Sequence, residues 1–213
     1  MEEIVCKFGG SSLASAEQIR KVWHIIESDP NRRYVVVSAP GKANPGETKV
    51  TDLLINLASA VTNHFEGQHY IDLVAQKFGQ IARDLGLEKD YEVLVRQDLN
   101  DRIDKYKNNS QALMNALKAA GEDNNAKLVA DFFKKQGLPA IYVSPMEAGF
   151  YLENHKGVVR CLPESYDNLR EYLLERHELV VFPGFFRYDK AGNILTFTRG
   201  GSDVTGSILA ASV

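Results

Sequence analysis

Cysteine, charge of a single sign and long apolar runs are all scarce in this sequence. Its 213 residues include two cysteines, Cys6 and Cys161, which are too few for a disulfide scaffold and favour a reducing compartment. With a formal net charge of −3, the sequence lacks the excess of basic residues that is typical of nucleic-acid-binding proteins. Any anion-binding site must therefore be formed by a small local group of residues. No apolar run approaches the ~20 residues that cross a membrane, and the acidic start does not resemble a signal peptide. These absences predict a cytoplasmic protein without a membrane or nucleic-acid partner.

Metal-ligand patterns are sparse as well. The five histidines are scattered and no Cys-x-x-Cys pair occurs, so the sequence predicts no protein metal site. The string Gly-x-x-x-x-Gly-Lys-Ser/Thr is also missing, which excludes a P-loop.

The apolar residues that are present predict an α/β fold. A chain of 213 residues can bury a full core, and one domain is the first expectation. Residues 34–38 form a continuous apolar run, as in a parallel strand that is buried on both faces. Further strands are predicted at 3–8, 139–143 and 178–182, and a hairpin turn at 189–193 leads into a fifth.

Helical patterns fill most of the remaining sequence. Ser15 begins a capping box, Thr51 is predicted to cap a second helix, and residues 163–174 form a late one. The pattern is helical almost throughout about 51–136, which separates the second and third main strands. We therefore predict a three-layer αβα sandwich with a mostly parallel sheet and a long helical insertion.

Two glycine pairs, each beside a cation, are the most informative feature. The string Lys-Phe-Gly-Gly-Ser-Ser occupies residues 7–12, directly after the first strand, and Arg-Gly-Gly-Ser-Asp occupies 199–203. A glycine pair between a strand and a helix lets backbone N–H groups and the positive end of the helix dipole approach an anion. Two such turns, one with Lys7 and one with Arg199, indicate a protein that handles phosphate and carboxylate groups together.

Each charged residue also has an ordinary structural explanation. Lys7 could extend from a strand end to water, and Asp203 could cap the last helix. Arg199 could be a surface charge and Glu122 a helix-surface acid, while Ser38 simply ends a buried strand. The glycine pairs favour the functional interpretation, because an ammonium there would neutralise a phosphoryl group and a guanidinium suits a carboxylate.

Four strings in order resemble the aspartate kinases of the amino acid kinase family. Residues 5–12 are similar to the first signature of that family, and 35–41 with 50–54 to its second strand and substrate loop. Residues 121–122 resemble the end of its Ser-x-Gly-Glu signature, and 199–203 match its fourth.

The resemblance implies phosphoryl transfer from ATP, with Mg²⁺ held through the ATP phosphates, to the side-chain carboxylate of L-aspartate. The product, 4-phospho-L-aspartate, begins the route toward lysine, threonine and methionine. Lys7 would contact the transferring phosphoryl group and Asp203 would orient Lys7; both are the expected catalytic residues. Phosphate oxygens would be held by the backbone N–H groups of Gly9, Gly10 and Ser11. The acceptor pocket would be lined by Ser38, Thr51, Glu122, Phe185, Arg199, Gly200, Gly201 and Ser202.

The implied chemistry is physically reasonable. Glu122 would hold the ammonium of the amino acid, and Arg199 a carboxylate. A side-chain carboxylate with a pKa of about 3.9 is already ionised at neutral pH, so the nucleophile needs no general base. Catalysis would rest on positioning and positive charge.

Two features depart from the resemblance. Ala119 stands where the family usually has serine, which we expect to tune affinity for the amino acid. The family's catalytic domain also continues past the fourth signature into a nucleotide-binding segment and regulatory ACT domains, whereas this sequence stops mid-helix at Val213. Residues 1–213 are therefore expected to be the amino-terminal part of a catalytic domain, incomplete at the C-terminus. Such a piece should bind ATP poorly, be inactive alone and self-associate, and the full-length protein should be a homo-oligomer.

Two alternatives remain open from the sequence. The first is another amino acid kinase, acting on glutamate, acetylglutamate or a nucleotide. The second is a non-catalytic binding or oligomerisation module that keeps the pocket.

Overall fold

The computed structural model describes residues 3–197 and 200–213, which form an α/β fold. The helices are α1 (Ala16–Glu27), α2 (Val50–Thr62), α3 (Gln68–Asp84), α4 (Tyr91–Tyr106), α5 (Ser110–Lys135), α6 (Glu164–Leu174) and α7 (Gly201–Ser212). The strands are β1 (Val5–Phe8), β2 (Tyr34–Val37), β3 (Ala140–Tyr142), β4 (Leu152–His155), β5 (Val158–Cys161), β6 (Leu179–Pro183), β7 (Phe186–Tyr188) and β8 (Ile194–Thr196). Within these ranges no helix is long and apolar enough to cross a membrane.

A four-stranded parallel sheet with the order β1-β2-β6-β3 forms the centre of the molecule. Its register places Val5 opposite Tyr34 and Tyr34 opposite Val180. All four residues of β2 and all five of β6 are buried, as expected for strands that are covered on both faces. Two antiparallel hairpins, β4–β5 and β7–β8, lie outside this sheet.

The two faces of the sheet pack against different helices. Side chains alternate along a strand, so Val35 and Val37 join the apolar cluster that contains residues of α1 to α5, whereas Val36 joins the cluster with α6 and α7. The predicted three-layer sandwich with a mostly parallel sheet is therefore confirmed.

The helical insertion also lies where the sequence predicts it. Helices α2 to α5 occupy the stretch between β2 and β3. α5 is the longest, with 26 residues, and its middle part is buried on every side. It packs on the sheet and carries Glu122 close to the end of β2.

Three local predictions need correction or extension. β1, β2 and β3 are one or two residues shorter than predicted, β6 has the predicted length but begins one residue later, and the β4–β5 hairpin was not predicted at all. Thr51 does not cap α2: the helix begins at Val50, the N-cap residue is Lys49, and its side chain makes no capping hydrogen bond. By contrast, the Ser15 side chain accepts a hydrogen bond from the backbone N–H of Gln18, as the capping box predicts.

Arg187 in β7 is buried without a carboxylate partner among the described residues. It is 0% exposed, and its guanidinium carbon lies 4.1 Å from the ring centre of Phe150 and 4.8 Å from that of Phe182. One terminal nitrogen donates to the carbonyl oxygens of Pro183, at 2.9 Å, and Phe186, but Nε and Nη2 have no partner. Burial lowers the pKa of Arg187 to about 9, because the charged form loses its hydration. The charge therefore costs stability that the fold does not recover locally.

Replacing this arginine by an apolar side chain of similar length should stabilise the protein. We expect Arg187→Met to keep the contacts with the two phenylalanines and to raise the free energy of unfolding by about 1 kcal/mol or more. Urea denaturation at pH 7 measures the change. Arg170→Met, at an exposed position of α6, is the control and should stay within about 0.5 kcal/mol. A large loss of stability in Arg187→Met would mean that the guanidinium has a partner not described here.

Candidate functional site

The candidate site lies at the carboxyl ends of β1, β2 and β6. The turn after β1, the loop after β2 and the turn after β6 meet there, together with the N-terminus of α7. Ligands of open α/β sheets bind at this edge, because the loops that follow parallel strands converge on it.

Lys7 and Asp203 form an ion pair across this edge. Lys7 is in β1 and Asp203 is in the first turn of α7, and their Nζ and Oδ1 atoms lie 2.9 Å apart. The Asp203 side chain is 68% exposed, so the pair is open to solvent on one side. Asp203 is not the helix cap: that position is Gly200, whose φ of +71° is left-handed and suits glycine.

The glycine turn after β1 packs directly on the backbone of the loop after β2. Residues Gly10–Leu13 form one 3₁₀ turn, whose first N–H groups have no acceptor within the turn. The N–H of Gly41 donates to the carbonyl oxygen of Gly10 at 2.8 Å. A Cβ on Gly10 would lie 2.9 Å from the carbonyl oxygen of Ala39, so this approach requires glycine. Gly9 is next to Lys7: a Cβ there would be 3.7 Å from the Nζ atom.

Ser38 connects β2 to two helices. Its hydroxyl donates to Oγ of Ser202 in α7 at 3.0 Å, and its carbonyl oxygen accepts from Nδ2 of Asn125 in α5 at 2.7 Å. Ser202 in turn packs against Gly184, where any Cβ would overlap the Ser202 hydroxyl. The serine pair therefore fixes the N-terminus of α7 relative to the sheet.

Glu122 is a buried carboxylate with an unpartnered oxygen. It lies in the middle of α5, is 5% exposed, and its Oε2 atom makes no hydrogen bond with residues 3–197 or 200–213. Burial raises the pKa of Glu122 to about 7, although the backbone amide of Ala39 and the charge of Lys118 act in the opposite direction. An added cation beside Oε2 would stabilise the ionised form.

A cleft of about 450 Å³ lies between the glycine turn, the loop after β2 and Glu122. Its lining residues are Gly10, Ser11, Ser38, Ala39, Pro40, Gly41, Lys42, Lys49, Thr51 and Glu122. The cleft is large enough for an amino acid, and its charged lining consists of two lysines and one glutamate.

The second part of the predicted pocket is next to α7. Phe185, between β6 and β7, has a left-handed φ of +70°, which is rare for a bulky residue. It packs closely on Gly201, and the ammonium of Lys118 lies 5.1 Å from the centre of its ring. Arg199 lies outside the described residues.

The structure thus brings most of the predicted residues together in two adjoining groups. Gly10, Ser11, Ser38, Thr51 and Glu122 line the cleft. Lys7 with Gly9 and Asp203, and Phe185 with Gly200, Gly201 and Ser202, lie around the start of α7.

Sequence reasoning missed three residues of the site. No motif in the sequence contains Lys42, Lys49 or Asn125. The two lysines do follow the end of a predicted strand, and this position could have indicated them. Ala119, where a hydroxyl was expected to affect the amino acid site, is fully buried in an apolar cluster with Phe186.

The amino acid kinase family model matches residues 2–213, which is nearly the whole chain. The chain belongs to the amino acid kinase family. Aspartokinase 3 of Bacillus subtilis is one of its relatives and is 48% identical to it over 206 residues. The alignment covers 97% of this chain and 45% of the relative. An aspartokinase of Geobacillus stearothermophilus is 28% identical, covering 99% of this chain and 40% of the relative.

Solved structures agree with this family assignment. Aspartate kinase of Clostridium acetobutylicum has a TM-score of 0.80 at 33% identity, covering 100% of this chain and 46% of that one. Aspartokinase III of E. coli, solved with aspartate and ADP, has a TM-score of 0.76 over 99% of this chain and 47% of that one. Because the sequence identity is 23%, the similarity to the E. coli enzyme shows only that the two chains share a fold. The resemblance to aspartate kinases is confirmed, and the chain spans less than half the length of the relatives it matches.

The contact between the glycine turn and the loop can be tested with two alanine substitutions. In Gly41→Ala the new methyl group would lie 2.7 Å from the Gly10 carbonyl group. We expect a loss of about 1–3 kcal/mol in the free energy of unfolding, because backbone on both sides leaves no space. Gly46→Ala, on the same loop with nothing within 4 Å, is the matched control and should be neutral or gain up to about 1 kcal/mol. Equal stability of the two variants in thermal denaturation would disprove the contact.

Proposed function

We propose that this chain is the part of an aspartate kinase that binds the amino acid acceptor and the transferring phosphoryl group. The reaction is phosphoryl transfer from MgATP to the side-chain carboxylate of L-aspartate, giving 4-phospho-L-aspartate on the route to lysine, threonine and methionine. The buried Glu122, with its unpartnered oxygen in a cleft beside the glycine turn, is the observation that carries the proposal. The names of the matched relatives, all aspartokinases, support it.

Glu122 holds the ammonium group of the amino acid. Among the described residues Glu122 forms no ion pair, and the charge of Lys118 does not offset its burial, so a further cation is needed for it to be ionised at low cost. The ammonium of L-aspartate meets this requirement, and the cleft beside Glu122 has room for it. Ser38, Thr51 and Arg199 contribute polar groups to the same acceptor, as do Phe185, Gly200, Gly201 and Ser202 through the walls next to α7.

Lys7 neutralises the transferring phosphoryl group. Its ammonium is held 2.9 Å from Asp203, so it is oriented before a ligand arrives. The backbone N–H groups of Gly9, Gly10 and Ser11, in the turn that follows β1, hold phosphate oxygens. Bound ATP supplies the phosphoryl group. This donor set of ammonium and amide N–H groups fits ATP phosphates, through which Mg²⁺ is held.

No side chain of the site has to act as a base. The acceptor carboxylate is ionised at neutral pH, so the barrier comes from bringing an anion to a polyanion. Lys7 and the glycine turn lower that barrier by placing positive charge between the two groups. Asp203 positions Lys7 and takes no proton.

The proposal also covers the larger protein. Residues 1–213 form the amino-terminal portion of an amino acid kinase catalytic domain in a cytoplasmic homo-oligomer, with the nucleotide-binding remainder and ACT domains elsewhere in the full-length protein. The chain covers 45% of aspartokinase 3 of Bacillus subtilis, which is consistent with such a division.

Calorimetric titration of this chain with L-aspartate, and then with MgATP, tests the acceptor site. We expect L-aspartate to bind and MgATP to bind weakly. At pH 6 the binding of L-aspartate should release up to about one proton, because the pKa of Glu122, raised to about 7, falls when an ammonium pairs with it. At pH 8.5 the release should vanish, since Glu122 is already ionised there. Two buffers with different ionisation enthalpies measure the protons.

Glu122→Gln is the control for that experiment and should abolish the proton release while weakening the affinity for L-aspartate. Release that persists in this variant would assign the proton to another group. Tight binding of MgATP by the chain would contradict the proposed division of the domain, and preference for glutamate or acetylglutamate would favour another branch of the family.

The role of Lys7 is testable in the full-length kinase. We expect Lys7→Met to lower kcat by about 10²–10³ with little change in the KM for aspartate, because its charge acts on the transition state. The methionine side chain keeps the packing of the lysine stem near Gly206. Lys21→Met, on the exposed face of α1, should leave kcat unchanged. A kcat near that of the unsubstituted enzyme would remove Lys7 from the catalytic residues.

A further inference from the structure

We propose that Lys42 and Lys49 form a cationic rim that makes the cleft selective for an amino acid with a second, side-chain carboxylate. This inference rests on the proposed function, since it assigns the specificity of the same acceptor site. Neither lysine belongs to the strings through which the chain resembles its family or to the site predicted from them.

The charges of the cleft are arranged in two levels. Glu122 is 5% exposed and forms the floor, whereas Lys42 and Lys49 are exposed and form the rim. These three are the charged residues among those that line the cleft in the described part of the chain. A ligand that complements them has a cationic end below and an anionic end above.

The loop that carries both lysines is tied down by its own carboxylate. Glu47 accepts hydrogen bonds from Nζ of Lys77 on α3, at 2.8 Å, and from the N–H of Ala43, at 2.9 Å. Because Glu47 is engaged with α3, it does not neutralise the two lysines. Neither Lys42 nor Lys49 forms an ion pair with any carboxylate of the described residues.

The N-terminus of α2 adds to the positive potential of the rim. Lys49 is the N-cap residue of this 13-residue helix and provides no side-chain cap; its carbonyl oxygen accepts from the N–H groups of Asp52 and Leu53, which leaves those of Val50 and Thr51 available. Thr51, in the first turn, lines the cleft as well. The helix end alone would not define a site. Glu122 lines the same cleft as a buried carboxylate, and one of its oxygens has no hydrogen bond among the described residues, which indicates that a ligand belongs there.

The position of the rim selects the side-chain carboxylate. When the ammonium pairs with Glu122, the α-carboxylate is attached to the same carbon and stays near the floor. The side-chain carboxylate is further along the molecule and extends toward the exposed lysines. Lys42 directly follows Gly41, which contacts the glycine turn, so the second carboxylate is held beside the phosphate-binding backbone.

Binding of L-aspartate and L-asparagine to this chain tests the proposal. The two amino acids differ in whether the side chain carries the second charge. We expect Lys42→Gln and Lys49→Gln each to weaken L-aspartate binding about fivefold, and the double variant by more than tenfold, with L-asparagine unaffected. High salt should weaken L-aspartate binding to the unsubstituted chain but not to the double variant. Lys156→Gln, on the β4–β5 hairpin away from the cleft, removes the same charge and is the control.

Each result separates this proposal from the proposed function. If Glu122→Gln weakens L-aspartate binding and the lysine variants do not, the proposed role of the two lysines is wrong, whereas the proposed acceptor site is supported. If the lysine variants weaken L-aspartate and L-asparagine equally, the lysines bind the α-carboxylate and the specificity role is overturned. If the lysine variants weaken the binding of L-glutamate while L-aspartate does not bind, the selectivity for a side-chain carboxylate is supported and the assignment of aspartate as the acceptor is wrong. If the unsubstituted chain binds none of these amino acids, both proposals are overturned.

Discussion

The residues that follow β2, Ser38–Gly41, hold the candidate site together through their backbone. The carbonyl oxygen of Ser38 is held by Asn125 from α5, and its hydroxyl is bonded to Ser202 from α7. Three residues later, the N–H of Gly41 binds the carbonyl of Gly10 in the turn after β1. One short segment therefore sets the distances between the glycine turn, the acid on α5 and the start of α7. Displacement of this segment would separate all three at once.

Two neighbouring acids on α5 are both buried, yet their pKa values are shifted in opposite directions. Burial by itself raises the pKa of both Glu122 and Asp123. At Asp123 the nearby charges of Arg102, at 2.7 Å, and Lys127, at 2.9 Å, outweigh burial and hold the pKa below its usual value. Tyr142 donates a further hydrogen bond to Asp123 at 2.5 Å. Glu122 forms no ion pair with the described residues, and the charge of Lys118 does not outweigh its burial. Asp123 is therefore neutralised within the protein, whereas in the proposed function the counter-charge of Glu122 comes from the ligand.

The sequence was sufficient for features with local signals. Buried parallel strands are continuous apolar runs, so β2 and β6 could be recognised, and glycine pairs mark turns wherever they occur. The Lys7–Asp203 contact joins opposite ends of the chain, and it could be predicted only from the family resemblance. The burial of Arg187 could not be predicted, because the phenylalanines around it come from other segments and no local pattern reports them. The two rim lysines were missed because their only signal, a position after a strand end, does not show that Lys77 of α3 holds their loop through Glu47.

The packing of Gly184 on Ser202 limits how this fold can diverge in sequence. No side chain larger than hydrogen fits at position 184, because a Cβ there would lie 2.3 Å from Oγ, 2.6 Å from Cβ and 3.0 Å from the backbone Cα of Ser202. The two positions belong to different segments, the turn after β6 and the first turn of α7, yet each restricts which residues the other can accept. Among natural variants position 184 should therefore remain glycine even where position 202 changes to alanine, and a recombined gene that takes the two segments from different parents is compatible with this packing only if it keeps that glycine.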